Sequence, residues 1–140
     1  MLAMRLTSQS AFPFLLLLVA GCGGSDRTLY HVQGTVTFDG QPVPAGTIFF
    51  EPDAKAGNDG TQGFAEIKNG RYDTAESLKG VTGGAYQVRV NGFQPPAGGA
   101  PPKILFKDFR QSMQLPKGDS VQEVVVPLDA ASGEFAPEIT

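Results

Sequence analysis

From residue 32 onward, apolar and polar positions alternate along the chain. In Val32–Phe38 one set of alternate positions is Val, Gly, Val and Phe, and the other is Gln, Thr and Thr. A period of two marks a strand with a dry face and a wet face. Residues 47–51 repeat the pattern, with Ile48 and Phe50 on one face. Residues 85–91 do so most clearly: Tyr86, Val88 and Val90 oppose Gln87, Arg89 and Asn91. In residues 121–128, Val124, Val126 and Leu128 share a side. Gly63–Lys68 and Arg71–Asp73 flank Asn69-Gly70, whose tolerance of positive φ makes it a strong hairpin signal. Short strands are also expected at residues 104–106 and 112–115. Residues 74–79 read equally as loop or as one helical turn, capped by Thr74 and stopped by Gly80.

Turn residues punctuate these runs. Asp39-Gly40 predicts a tight turn, and Pro42 and Pro44 keep the next stretch extended without ladder donors. Residues 93–102 hold four Pro and two Gly, which predicts an irregular connection with some capacity for extended polyproline conformation. About seven short strands without a convincing helix imply an all-β chain, and an antiparallel β-sandwich is the expected closure. The folded domain is expected over residues 29–128, with a frayed tail over residues 129–140.

The first 21 residues follow a different logic. Arg5 is a positive start, and residues 11–20 are free of charge. That length fits the apolar core of a secretion signal and falls short of the ~20 residues needed to cross a bilayer. Pro13 weakens a spanning helix further. Val19-Ala20-Gly21-Cys22 resembles the lipobox of bacterial lipoproteins, and Cys22 is the only cysteine in the chain. The resemblance implies cleavage before Cys22, a diacylglyceryl thioether on its sulfur and acylation of its amine. Residues 1–21 are then a signal peptide and residues 22–28 a lipidated tether. No Asp follows Cys22 directly, which in such proteins favours the outer membrane over the inner. The expected location is therefore the bacterial cell envelope, on the outer membrane, facing the periplasm or the cell surface.

Charge excludes one class of partner. The chain carries 11 Lys and Arg against 14 Asp and Glu, a net −3, and loss of Arg5 with the leader would make it −4. Nucleic-acid binding needs a basic face instead. The anchored chain would keep no free thiol for a disulfide, so its stability would rest on the apolar core.

The segment Val32-x-Gly34-x-Val36-x-x-Asp39-Gly40-x-Pro42-Val43-x-x-Gly46-x-Ile48-x-Phe50 resembles the opening of transthyretin-like domains. These are also called carboxypeptidase regulatory-like domains, a branch of the Ig-like (prealbumin-like) sandwiches. Asn69-Gly70-Arg71-Tyr72 and Gly84-Ala85-Tyr86-x-Val88-x-Val90 follow in the same order. One departure is Gly83, where such domains often carry Pro. Hydroxyisourate hydrolases of this kind use several His and a Tyr-Arg-Gly-Ser ending. This chain has one His and ends Pro-Glu-Ile-Thr, so that activity is not implied. Tyr72 and Tyr86 are expected to pack their rings and reach backbone with their hydroxyls.

No catalytic constellation emerges. His31 has no second His and no unmodified Cys to join it, so it reads as a strand-edge residue. Glu51, Asp53, Asn58 and Asp59 offer oxygens for calcium, but turn chemistry explains them equally well. No serine lies in a Gly-x-Ser-x-Gly elbow, and no pair of carboxylates shares a rigid face. Phe109 and Arg110 are candidate docking anchors, or else a solvated turn with one core aromatic. Phe49 and Val125 would mark a contact patch if exposed together. The expectation is a non-enzymatic, lipid-anchored binding or scaffolding protein without metal or cofactor. Its partners would be the membrane and an envelope protein or glycan. A small-ligand carrier and a hydrolase with an unrecognised site are the alternatives.

Overall fold

The alternating stretch Val32–Phe38 is β1, and every other part of the fold is placed by what pairs with it. A computed structural model describes residues 27–132. The strands after β1 are β2 (Gln41–Pro42), β3 (Ala45–Pro52), β4 (Gly63–Lys68), β5 (Arg71–Asp73), β6 (Gly84–Gln94), β7 (Lys103–Leu115) and β8 (Ser120–Val126). One short helix, α1 (Thr74–Ser77), follows β5. The eight strands form one mostly antiparallel, curled sheet. The order runs β2-β1-β5-β4-β3-β6-β7, with β8 on the free side of β1. The leader, Cys22 and residues 133–140 lie outside the described residues.

The apolar halves of the alternating strands point inward together. Val32, Val36, Ile48, Phe50, Val88, Val90, Val124 and Val126 are fully buried in one core cluster. The expected faces of β3 and β6 are therefore those observed. The tyrosines behave as expected: the Tyr72 hydroxyl donates to the Gln122 carbonyl at 2.7 Å, and the Tyr86 hydroxyl to the Thr61 carbonyl at 2.9 Å. Leu128 does not join Val124 and Val126. It lies beyond Pro127 in a 3-10 turn, Leu128–Ser132, and is 59% exposed. That turn also shortens the expected frayed tail, because Ala130 is buried against the core.

Four local expectations are corrected. The pairing is not wholly antiparallel, since β1 and β8 run parallel over their full lengths, from Val32↔Ser120 to Phe38↔Val126. The two short strands expected around residues 104–115 are one thirteen-residue strand, β7. Its polar middle is a bulge: the ladder slips between Val90 and Gly92, and Asp108 takes φ +53°. The extra residue lets both Phe106 and Phe109 face the core despite their spacing of three. In the helical turn, Asp73 and not Thr74 is the cap, accepting from Ala75 N–H at 2.8 Å. Thr74 is turned inward, where its hydroxyl accepts from Val32 N–H at 2.9 Å. The turn stops at Leu78, two residues before Gly80, in a left-handed conformation with φ +58°.

Gly83, just before β6, sits at φ +83°. Proline holds φ near −65° and could not take that conformation. The entry to β6 therefore uses a glycine turn. Gln33, Thr35, Thr47, Phe49, Gln87, Arg89 and Asn91 are outward positions, and they set up the surface described next.

Candidate functional site

The outer face of β4-β3-β6-β7 carries a continuous cross-strand row. Register places Phe64 opposite Phe49, Phe49 opposite Arg89, and Arg89 opposite Arg110. The Phe49 and Phe64 ring centroids are 5.0 Å apart at an interplanar angle of 47°. The Arg89 guanidinium lies 4.3 Å from the centre of the Phe49 ring, within cation–π range. Glu51 accepts from Arg89 Nε at 2.9 Å and pairs with Arg110 at 3.5 Å, while Asp108 reaches Arg89 at 3.7 Å.

Neighbouring outward side chains extend this lattice. Gln87 Nε2 donates to Asp53 at 3.2 Å and to Ser112 at 2.8 Å. Asn91 accepts from the backbone N–H of Asp108 at the bulge, at 2.9 Å. These bonds hold long side chains in fixed positions. A face ordered in advance loses less conformational freedom on binding. Beside the aromatic pair, a cavity of about 360 Å³ is lined by Phe49, Gln62, Phe64 and Lys79.

Replacing Glu51 with Gln should loosen Arg89 and Arg110 together. Because all three are partly exposed, the expected loss is only about 1 kcal/mol, and it should shrink in high salt. Chemical denaturation of both chains at low and high ionic strength measures it.

The residues singled out from the sequence do not converge on this face as a group. Arg110 is exposed at the end of the row, but Phe109 is 6% exposed and belongs to the core. Phe49 is half-buried and Val125 is 59% exposed. Strand order separates them by β1, β5 and β4, so they do not form one patch. Asp53 caps the 3-10 turn Ala54–Ala56 by accepting from Lys55 and Ala56 N–H. Asn58 donates to Ala85 carbonyl at 2.6 Å and accepts from Gly60 N–H at 2.9 Å, and Asp59 pairs with Arg27. Turn chemistry thus accounts for the loop. Among the described residues, no group of three or more His, Cys, Asp or Glu is placed to hold a metal ion.

His31 lies just before β1, with its N–H bonded to Asp119 at 2.8 Å and its carbonyl accepting from Ser120 N–H at 3.0 Å. A Ser, a His and an Asp therefore meet at this edge, around a cavity of about 250 Å³. His31 Nδ1 and Ser120 Oγ are both buried, and neither has a hydrogen-bond partner among the described residues. They do not make the nucleophile–base bond that activates a serine.

A larger hollow of about 480 Å³ crosses β1, β5 and β4 on the outer side, with Thr35, Glu66, Lys68 and Arg71 along it. Beneath it, burial pushes the Tyr72 hydroxyl well above the ordinary tyrosine pKa of 10.0. The group stays neutral in the fold while the unfolded chain ionises near its ordinary value. Its stabilising contribution is complete below pH ~10 and is lost as pH rises above that. Tyr72→Phe should therefore lower stability by about 1 kcal/mol at neutral pH and flatten the alkaline limb. Denaturation midpoints of both chains between pH 8 and 11 would show a constant difference if this is wrong.

No family model matches the chain, and neither the curated proteins nor the solved structures searched gave a match. The fold and the outer face therefore define a mostly antiparallel β protein with a pre-ordered aromatic and arginine surface.

Proposed function

We propose that this chain is a bacterial envelope lipoprotein whose β domain binds or scaffolds without catalysing a reaction. Cys22 carries the lipid, and residues 23–28 tether the domain to the membrane, by preference the outer one. The transthyretin-like reading, with the curled sheet closed as a sandwich, belongs to the same proposal. It is supported by the order of the matching segments and by the glycine, tyrosine and alternating apolar positions that occupy them.

The observation that carries the binding reading is the Phe64–Phe49–Arg89–Arg110 row, held in place by Glu51 and Asp108. Aromatic and arginine side chains are the types that anchor contacts with proteins, and aromatic faces with fixed polar neighbours also suit glycans. The ordered polar groups favour an envelope protein or glycan over an apolar small molecule.

Two measurements test the parts separately. Metabolic labelling with a fatty-acid analogue should tag the wild-type chain and leave Cys22→Ser unlabelled, with release of the variant from the membrane fraction. Equal labelling of both would remove the anchor. Photocrosslinking from position 110 in intact cells should trap an envelope component, and Phe49→Ser with Arg89→Ser should abolish the adduct. An adduct that survives both changes would remove the binding face.

A further inference from the structure

At the far end of the β6–β7 hairpin, the sequence reads Pro95-Pro96-Ala97-Gly98-Gly99-Ala100-Pro101-Pro102, a palindrome. Gly98 and Gly99 both take positive φ, at +60° and +79°, and Ala100 N–H donates to Ala97 carbonyl at 3.2 Å. That is the turn geometry that matches strand twist in a two-residue hairpin loop. The hairpin therefore continues past its ladder as a finger with a diproline on each arm. Proline fixes φ and has no N–H, so the arms are stiff and lack four donors.

The finger has the surface of an interfacial element. Every residue from 93 to 104 is exposed. Phe93 and Ile104 face each other at its base, 37% and 68% exposed. No charge occurs between Phe93 and Pro102; Lys103 follows directly and Lys107 four residues later. No carboxylate lies between residues 92 and 107, in a chain that is acidic as a whole. The nearest one, Asp108, is turned toward Arg89.

We propose that this finger inserts into the headgroup region of an anionic lipid surface. Few backbone donors must leave water when the diproline arms enter the interface, which lowers the desolvation cost. Phe93 and Ile104 supply apolar area at the boundary, and the two lysines meet the phosphates. A polyproline-reading protein fits less well. Such grooves read a continuous extended helix of three residues per turn, and here Gly98 and Gly99, at positive φ, reverse the chain one residue away from each diproline.

This goes beyond the anchor reading, because it concerns a second, non-covalent contact that needs no lipid on Cys22. The test therefore uses residues 23–140, which hold all eight strands and the core cluster that folds them. The chain has no tryptophan, so Ala97→Trp places a lone reporter at the fingertip. With phosphatidylglycerol vesicles, its emission should shift to the blue and be quenched by lipids brominated on their acyl chains. The signal should weaken in high salt and with phosphatidylcholine. Flotation of the tryptophan-free chain should give the same lipid preference. Ile104→Ser should weaken binding about tenfold, and Lys103→Glu with Lys107→Glu should remove the preference for anionic lipid. All these positions are exposed, and far-UV circular dichroism checks that each variant keeps its sheet.

Emission unchanged at saturating lipid, or an equal shift from Lys55→Trp on another loop, would overturn the proposal. So would a finger-dependent contact with a protein in the absence of lipid. Loss of fatty-acid label at Cys22 would leave it standing.

Discussion

Phe50→Ala is expected to remove about 4 kcal/mol of stability, a large share of the roughly 5–15 kcal/mol that a domain of this size has. Phe50 is fully buried in β3, with its ring centroid 5.9 Å from that of Tyr72 across the core. Its flanking strands are tied on both sides, by β4 at Gly63 and by β6 at Val88. They hold the backbone around the missing ring, so the cavity can collapse only partly. At about 4 °C or more per kcal/mol, thermal unfolding should fall by roughly 16 °C. Leu78→Ala is the control, because Leu78 is 83% exposed and should change stability by no more than about 0.5 kcal/mol. Similar losses from the two variants would show that the core is not where the fold places it.

Gly34→Ala should cost about 3 kcal/mol, although it adds a single methyl group. An added Cβ at residue 34 would overlap the carbonyl oxygen of Gln122 on β8. The same carbonyl accepts the Tyr72 hydroxyl, so β8 cannot retreat without breaking that bond. Gly118→Ala is the comparison, since nothing lies within 4 Å of a Cβ built there. Urea titration should separate the two glycines clearly. A Gly34→Ala chain as stable as wild type would mean that β1 and β8 do not meet as closely as described.

Much of the sheet could be read from the chain itself. β1, β3, β4, β6 and β8 announce themselves because each buries one face only, which imprints a period of two. Asn69-Gly70 gave away the β4–β5 hairpin for a similar local reason, the need for positive φ at both positions, which are +51° and +75°. What stayed hidden depends on partners far away in sequence. The bulge at Asp108 looks polar and turn-like in isolation, and only the slip against β6 shows that the strand runs on. Thr74 looks like a helix cap until Val32, 42 residues earlier, claims its hydroxyl.

The outer face was legible in composition and not in arrangement. Alternation places Phe49 and Arg89 outward, but their contact follows from the β3–β6 register, which no local pattern fixes. Glu51 read as a strand-end carboxylate near the Asp53 loop, and its place between two arginines follows only from the pairing of distant strands. Phe109 was open to two readings, docking anchor or core aromatic, and its burial decides for the core. The Ser120 and His31 edge could not be seen at all, because 88 residues separate His31 from Asp119 beside it.

That same long span bears on when the molecule can fold. Among the described residues the first strand lies against the last along its whole length, so residues 120–126 must be available before the hub strand is enclosed. Contacts so distant in sequence form slowly. One whole edge of the hub strand therefore waits for residues 120–126, and the tight approach of Gly34 to Gln122 is made only when that late partner docks.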